Sequence, residues 1–273
     1  MSSLSEKRLF LLDMDGTIYL DEELFPSVPE FLTYIRSVGY VLFLTNNSSR
    51  GIDAYLAKME RLGIPACREE FLTSTDAAIR LLQQEYTGKK VYAFGTRSFA
   101  SQLASAGIRV TDREDDGAEV LLCGFDTELT FSKLEDAVKL LNRGLPFLAT
   151  NPDWVCPTAY GFVPDCGSVC EMLWHATGRR PRVIGKPQPD MVSLALERTG
   201  CRPEEAVIIG DRIYTDVACG VNAGIDSVFV LSGEGVREDC EKYGIRPTWI
   251  RENIAEIYRE IRESKDHPSC GAL

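Results

Sequence analysis

Short apolar runs alternate with longer amphipathic segments along the whole chain. The apolar runs are rich in β-branched and aromatic residues, which is typical of strands buried on both faces. They are Leu9–Leu12, Val41–Leu44, Val91–Phe94, Val120–Cys123, Phe147–Ala149, Val207–Ile209 and Val228–Leu231. Helical periodicity between them predicts helices over Val28–Val38, Ile52–Leu62, Phe131–Leu141 and Met191–Arg198. This β-α-β order predicts an α/β fold with a mainly parallel sheet and helices on its faces.

The chain divides into two parts by content. Every polar cluster that follows a predicted strand lies before about residue 87 or after about residue 181, whereas the segment between has its own strand and helix pattern. Gly- and basic-residue stretches at 88–90 and 178–181 are suitable crossing points. We therefore predict a core domain formed by residues 1–87 and 181–273, with residues 88–180 inserted as a cap.

Length and charge restrict the classes of partner. The 273 residues suffice for two modest domains, and the formal net charge is −11. Nucleic acids and anionic membranes need a basic surface, so neither is expected to bind. An anionic substrate would need local positive charge, which directs attention to sites that hold a cation.

The remaining compositional signals favour an ordinary cytoplasmic protein. No apolar run approaches the roughly 20 residues that cross a bilayer, and Asp13 interrupts the first run too early for a signal peptide. The nine cysteines lack a C-x-x-C pair and are interpreted as free thiols, mostly in the core. We assign no role to His175 or His267.

The strongest chemical signal is the segment Leu11-Leu12-Asp13-Met14-Asp15-Gly16-Thr17. It places two acids at the carboxyl end of a buried strand, where ligands bind in open α/β sheets. Alternation along an extended chain predicts that Asp13 and Asp15 face one pocket, after which Gly16 permits a turn. Two adjacent carboxylates need a cation or a proton between them. A pair of solvated turn acids is the alternative.

Two further clusters carry groups that suit phosphate oxygens. Thr45, Asn46 and Asn47 follow a predicted strand and supply hydroxyl and amide donors, although the same residues also suit a turn and a helix cap. Lys186 stands in Gly185-Lys186-Pro187, just before a predicted helix, although a lone lysine is usually a surface residue. The spacing excludes a nucleotide P-loop.

The fourth cluster again places an acid directly after a buried strand. Gly210 and Asp211 end the run, and Asp216 follows five positions on. The carboxylates of Asp13, Asp15 and Asp211 form a hard-oxygen set that suits Mg²⁺. The four clusters together indicate phosphoryl transfer, with an aspartate as nucleophile, Asp15 as acid and then base, and cations opposing the phosphate charge.

These four clusters resemble the motifs of the haloacid dehalogenase superfamily, in order and each after a strand. The resemblance implies a doubly wound, Rossmann-like core, with Asp13 as nucleophile, Asp15 as general acid and base, and Mg²⁺ as cofactor. It also implies that Thr45 and Lys186 bind phosphate. Asp211 would ligate the metal, and Asp216 would orient its shell. Gly16, Thr17 and Gly210 would support the site. An acid two positions after the nucleophile is similar to the phosphatase branch.

The inserted segment resembles that of the NagD-like branch, which includes 4-nitrophenylphosphatases and phosphoglycolate phosphatases. The resemblance rests on Ala149-Thr150-Asn151-Pro152-Asp153 and on Gly185-Lys186-Pro187-Gln188-Pro189. It implies an α/β cap of the C2 type, a substrate-specificity loop over Gly161–Ser168, and a homodimer formed through the cap. Substrate contacts are expected from Asn151, Asp153, Pro164 and Asp165.

The expected activity is hydrolysis of a small phosphorylated metabolite, such as a sugar phosphate or a nucleoside monophosphate. A phosphotransferase or phosphomutase would use the same aspartyl-phosphate and exclude water. A phosphorylated regulatory module is disfavoured, because receiver domains carry the phosphorylated aspartate on the third strand. A dinucleotide-binding enzyme is also disfavoured, because no G-x-G-x-x-G follows a strand.

Overall fold

The structure is a computed structural model that describes residues 3–114, 116–158 and 160–266. The strands are β1 (Leu9–Leu12), β2 (Tyr19–Leu20), β3 (Glu23–Leu24), β4 (Tyr40–Thr45), β5 (Phe71–Thr73), β6 (Lys90–Phe94), β7 (Arg109–Thr111), β8 (Val120–Cys123), β9 (Phe147–Ala149), β10 (Val155–Thr158), β11 (Gly161–Pro164), β12 (Arg182–Val183), β13 (Ala206–Gly210), β14 (Asp226–Val230) and β15 (Trp249–Arg251). The α-helices are α1 (Val28–Val38), α2 (Ile52–Arg61), α3 (Ser74–Glu85), α4 (Arg97–Ser105), α5 (Phe131–Asn142), α6 (Cys166–Thr177), α7 (Asp190–Thr199), α8 (Ala218–Ala223), α9 (Asp239–Tyr243) and α10 (Ile254–Asp266).

Two compact units make up the chain. The first contains residues 1–44, 56–72 and 187–273, and the second contains residues 45–55 and 73–186. These bounds differ from the predicted domains of 1–87 with 181–273 and of 88–180. Part of the reason is that β12 pairs with β9, which assigns residues 182–183 to the second sheet. The assignment of the second unit as a specificity cap stays a prediction.

A six-stranded sheet in the order β15-β14-β13-β1-β4-β5 forms the centre of the first unit. β1 lies between β13 and β4 and is parallel to both, and β14 and β15 continue the parallel pairing on one side. Every residue of β1 and β13 is buried, as expected for central strands of a covered parallel sheet.

Helices of the first unit cover this sheet through regular apolar stripes. Val28, Phe31, Leu32 and Ile35 recur at helical spacing on α1 and are buried. The Phe31 ring meets Phe10 of β1 edge to face at 6.1 Å and contacts Tyr258 of α10 at 6.5 Å. This packing fixes β1, and with it the residues that follow Leu12.

The second unit has its own five-stranded sheet and its own core. The strand order is β12-β9-β8-β6-β7, with parallel pairs throughout. Helices α5 and α6 pack against it through an apolar cluster that includes Leu121, Leu140, Val169 and Leu173. A separate antiparallel hairpin joins β10 to β11.

The predicted α/β class with a parallel sheet is confirmed, and α1 has the predicted bounds. The sequence pattern did not identify β5, the β10–β11 hairpin or α10. No helix in the described ranges is long and apolar enough to span a membrane. His267 and Cys270 lie outside the described residues.

Candidate functional site

The end of β1 turns sharply at Asp13. Its amide still donates to the Ile209 carbonyl at 2.9 Å, which ties Asp13 to β13. The Met14 carbonyl then accepts the amides of Thr17 at 3.2 Å and Ile18 at 3.0 Å. Gly16 completes this turn with φ of +81°, a left-handed conformation that favours glycine.

The end of β13 brings two more acids to the same unit. Asp211 directly follows the strand, and a π-helical turn over Ile213–Val217 returns Asp216, whose carboxylate accepts the Arg212 amide at 3.1 Å. A Cβ on Gly210 would lie 2.3 Å from the Asp216 Cβ, so the close approach requires glycine there. One carboxylate oxygen from each of Asp13, Asp211 and Asp216 lies within 4.8 Å of the others.

Glycine backbone encloses the Asp211 carboxylate. A Cβ on Gly16 or Gly233 would lie 2.4 or 2.1 Å from its Oδ2, which accepts the Glu234 amide at 2.7 Å. The Ser232 hydroxyl also donates to the Gly16 carbonyl at 2.8 Å. The loop over residues 232–235, after β14, therefore holds Asp211 in place.

The other oxygen of Asp211 lacks a hydrogen-bond partner. Its Oδ1 is buried, and no donor within the described part of the chain reaches it. Such an orphan oxygen is costly unless a ligand satisfies it. Together with the two neighbouring carboxylates, this oxygen fits a small hard cation such as Mg²⁺.

The electrostatics of the group support this fit. Burial and the nearby Asp216 carboxylate raise the pKa of Asp211 to about 6. Burial alone would lower the pKa of Arg212. The opposing effect of Asp13, Glu234, Asp216 and Asp211 is larger, so the pKa is raised and the guanidinium stays charged. Arg212 also pairs with Glu234 at 3.0 Å. One guanidinium opposes several acids, and a bound cation would relieve the remaining repulsion.

The side chain of Asp15 does not belong to this carboxylate group, and its predicted role as a metal ligand stays a prediction. Its side chain is 58% exposed, and its Oδ1 lies 3.4 Å from Lys58 Nζ. Lys58 itself stacks on the Tyr19 ring at 3.8 Å. The alternation that predicted a shared pocket requires an extended strand, but β1 ends at Leu12 and the chain is turning by Asp15. Asp216 takes the third place in the group.

Thr17 is fully buried in the same turn. Its hydroxyl oxygen has no hydrogen-bond partner among residues 3–114, 116–158 and 160–266. Its backbone amide serves the turn around Met14, as noted above. The predicted supporting residues Gly16, Thr17 and Gly210 thus shape the surroundings of the acids through backbone conformation.

Thr45, Asn46 and Asn47 lie in the second unit, with Thr45 as the last residue of β4. The Thr45 hydroxyl accepts the Asn47 amide at 3.1 Å. The Asn47 side chain accepts the amide and the hydroxyl of Ser49 at 2.9 and 2.7 Å. Asn47 therefore has the turn-forming role that the sequence left open as an alternative.

Asn46 belongs to a buried polar network within the second unit. Its Nδ2 donates to Asp153 Oδ2 and to the Lys186 carbonyl, both at 2.9 Å. Asn151 donates to Asp153 at 2.8 Å and to Asp165 at 3.1 Å. The network thus joins four residues that the sequence singled out, and it holds the backbone of a fifth, Lys186.

The predicted substrate-contacting residues differ in burial. Asn151, Asp165 and Lys186 are almost fully buried, whereas Pro164 is exposed at the end of β11. Burial and the nearby Asp153 carboxylate raise the pKa of Asp165 to about 7. The hydrogen bonds from Cys166 and Asn151 act in the opposite direction and lower it by less. Contact of any of these residues with a substrate stays a prediction.

Three contributors to the site were not predicted from the sequence. These are Lys58 beside Asp15, Arg212 among the acids, and the loop over residues 232–235. The signal for the loop was the Ser232-Gly233-Glu234-Gly235 sequence after a buried strand, in which the acid comes four positions after the strand rather than next to its end. The arrangement is an acidic centre at the carboxyl edge of a doubly wound α/β sheet, with three carboxylates that could hold a metal ion.

Comparison with known families agrees with this class. A haloacid dehalogenase-like hydrolase model matches residues 10–109, and an HAD-hydrolase-like model matches residues 183–257. The acid sugar phosphatase of Staphylococcus saprophyticus is 29% identical over 257 residues, which cover 94% of this chain and 98% of that protein.

Solved structures show the same relationship at high coverage. The 4-nitrophenylphosphatase of Thermotoga maritima is 35% identical with a TM-score of 0.88, covering 94% of this chain and 98% of its own. The glycerol phosphate phosphatase of Mycobacterium tuberculosis, in complex with magnesium, is 31% identical with a TM-score of 0.89. The match covers 96% of this chain and 80% of that chain. NagD of Escherichia coli K-12 is 30% identical with a TM-score of 0.83. The match covers 92% of this chain and 98% of that chain.

The chain therefore belongs to the haloacid dehalogenase-like hydrolases, in the NagD-like phosphatase branch. The family and the enzyme class predicted from the sequence are both confirmed.

Proposed function

We propose that this phosphatase hydrolyses small phosphomonoesters of the sugar or polyol type, with Mg²⁺ and a phosphorylated Asp13. The observation that carries the proposal is the group formed by Asp13, Asp211 and Asp216, in which a buried Asp211 oxygen has no partner among the described residues. The substrate class is supported by the names of two similar proteins, an acid sugar phosphatase and a glycerol phosphate phosphatase.

Asp13 and Asp211 would hold the metal, and Asp216 would orient the ligands around it. When bound, the ion supplies positive charge that lets a carboxylate and a phosphate approach each other. Asp211 is fixed from two sides by Gly16 and by the 232–235 loop, so its position does not depend on the metal.

In the first half-reaction, an Asp13 carboxylate oxygen attacks phosphorus and the bond to the ester oxygen breaks. Asp15 donates a proton to the leaving oxygen. Lys58 Nζ at 3.4 Å orients the Asp15 carboxylate, and its stacking on Tyr19 restricts the lysine. The product alcohol leaves and Asp13 carries the phosphoryl group.

In the second half-reaction, water replaces the alcohol. The Asp15 carboxylate takes a proton from this water, whose oxygen attacks phosphorus while the bond to Asp13 breaks. The exposure of the Asp15 side chain gives it access to solvent, which favours hydrolysis over transfer to another acceptor. Thr45 and Lys186 are proposed to bind phosphate oxygens, and the burial of Lys186 would strengthen such a charge interaction.

The proposal is tested by phosphate release with and without Mg²⁺. The panel contains sugar phosphates, glycerol phosphate, nucleoside monophosphates, phosphoglycolate and pyridoxal phosphate, with 4-nitrophenyl phosphate as reference. Sugar and polyol phosphates should have the highest kcat/KM. Activity that is independent of divalent ions, or a preference for nucleotides, would contradict it. Adding an acceptor alcohol and measuring transferred product separates hydrolysis from transfer.

Removing the charge of Asp211 should weaken metal binding. We expect Asp211→Asn to raise the half-saturating Mg²⁺ concentration roughly tenfold or more, because an amide is a poorer ligand than a carboxylate. Calorimetric titration with Mg²⁺ alone gives a readout that does not depend on turnover. Asp21→Asn, on the exposed turn between β2 and β3, is the matched control. An unchanged titration for Asp211→Asn would contradict its role as a ligand.

The exposed residues of the predicted specificity loop lie in its first half. Phe162 in β11 is 70% exposed, whereas Asp165 and Cys166 are buried at the start of α6. We expect Phe162→Ala to change the ratio of kcat/KM between two substrates by roughly tenfold, because apolar contacts discriminate by 1 to 3 kcal/mol. Phe131→Ala, at an equally exposed site on α5, should leave the ratio unchanged. A uniform loss across substrates would count against the role of the loop.

We propose that the chain self-associates through the β10–β11 hairpin, which contains Phe162. Tyr160 and Phe162 are both largely exposed, and exposed aromatic clusters mark interaction surfaces. Light scattering should give twice the chain mass of 30.4 kDa for the native protein. The double variant Tyr160→Ser with Phe162→Ser should give the monomer mass, and Phe131→Ser should not. A native monomer would refute this proposal.

A further inference from the structure

Three buried cysteines form a compact sulfur cluster in the second unit. Cys123 is the last residue of β8, Cys166 is the first residue of α6, and Cys170 lies one turn later on the same helix. The Cys166 sulfur is 3.8 Å from that of Cys123 and 4.0 Å from that of Cys170. All three sulfurs lie within 4.8 Å of one another, and the eight cysteines in the described ranges are free thiols.

The separations between the sulfurs fit a metal–thiolate site. A thiolate sulfur lies about 2.3 Å from its metal ion, which places the sulfurs of a trigonal site about 4 Å apart. The separations of 3.8 and 4.0 Å from the Cys166 sulfur are close to this value, and the Cys123 and Cys170 sulfurs lie within 4.8 Å of each other. An ion placed between the sulfurs would therefore require little rearrangement of the strand or the helix.

The surroundings of the cluster select the kind of ion. Leu121, Ala149 and Val169 belong to the same apolar core, and the group that could hold an ion consists of three sulfurs, with no His, Asp or Glu ligand among the described side chains. Buried thiolates need a compensating cation, and thiolate sulfur prefers soft ions. The N-terminus of the 12-residue helix α6 additionally favours negative charge on Cys166.

We propose that Cys123, Cys166 and Cys170 bind a thiophilic metal ion, and that Cu(I) is the ion that fits them. Structural zinc sites use four ligands, whereas this cluster offers three sulfurs. Each cysteine that binds as a thiolate releases one proton, and no electron is transferred. The site uses sulfur ligands of the second unit alone, in contrast to the carboxylate group of the first unit.

Competition for Cu(I) tests the proposal directly. The reduced, metal-free full-length protein is titrated with Cu(I) in the absence of oxygen against a chromophoric Cu(I) chelator. One equivalent should be withheld from the chelator, with ultraviolet absorption from thiolate-to-copper charge transfer. Cys123→Ala and Cys166→Ala should each weaken binding at least tenfold. Cys219→Ala removes a buried thiol of the first unit and should leave binding unchanged.

Two further measurements separate ligand loss from unfolding. Copper should raise the melting temperature of the native protein and of Cys219→Ala, but not that of Cys166→Ala. Cys166→Ser replaces the alanine variant if the latter fails to fold. X-ray absorption of the loaded protein should report sulfur ligands only. No retained copper, equal retention by the cysteine variants, or oxygen and nitrogen ligands would overturn the proposal.

Discussion

Asp13→Asn should reduce kcat to below about a thousandth of the native value, because an amide cannot form the phosphorylated intermediate. The variant should remain folded, since the backbone amide of Asp13 keeps its hydrogen bond to Ile209. Its melting temperature should equal or exceed that of the native protein. Removing one of three clustered carboxylates relieves repulsion with Asp211 and Asp216.

The measurement is phosphate release together with thermal unfolding. Intact mass must show that the amide persists, because deamidation would restore the aspartate. Asp21→Asn makes the same chemical change on an exposed turn and should retain full activity. Acid-quenched native enzyme should carry phosphate on Asp13, and the variant should not. Appreciable turnover by an intact amide would eliminate Asp13 as the nucleophile.

Asp226→Ala should destabilise the protein by about 3 kcal/mol, because it leaves a buried lysine without its counter-charge. The Lys7 side chain is inaccessible to solvent, and its Nζ lies 2.5 Å from Asp226 and 2.6 Å from the Glu204 carbonyl. Asp226 also accepts the Thr248 hydroxyl at 2.9 Å. After substitution, the Glu204 carbonyl is the one hydrogen-bond acceptor that the described residues still offer to the charged Lys7.

A double variant tests whether charge burial is the cause. Lys7→Met removes the isolated charge, so Lys7→Met with Asp226→Ala should be more stable than Asp226→Ala alone. Glu252→Ala breaks the exposed pair with Arg237 at 2.9 Å and should cost less than about 1 kcal/mol. Chemical denaturation gives these differences. A loss for Asp226→Ala as small as that for Glu252→Ala would refute the explanation.

The parallel sheet and the strand ends were predictable because buried strands have a strong local signal. Apolar runs bounded by polar clusters identified β1 and β13 to within one residue and placed Asp13 and Asp211 directly after them. Strand β5 has only two apolar residues, Phe71 and Leu72, and the β10–β11 hairpin is largely exposed, so neither shows the run of three apolar residues that identified β9.

The details of the site depend on contacts between distant parts of the chain. Asp216 joins the carboxylate group through a π-helical turn that periodicity does not reveal. Asp15 separates from Asp13 because β1 ends before it, and its contact with Lys58 spans 43 positions. The sulfur cluster likewise joins Cys123 to a helix that starts 43 residues later. Such convergence is a property of the folded chain.

The glycine positions around Asp211 and Asp216 have an evolutionary consequence. No side chain fits at Gly16, Gly210 or Gly233 without displacing a carboxylate, so descendants of this gene can hardly vary there. The exposed aromatic hairpin of the second unit carries no such packing constraint within the chain, and we expect Phe162 to tolerate substitution without loss of core packing. Diversification by point mutation should thus accumulate in the hairpin, which allows the enzyme to acquire new substrates while its chemical step is inherited unchanged.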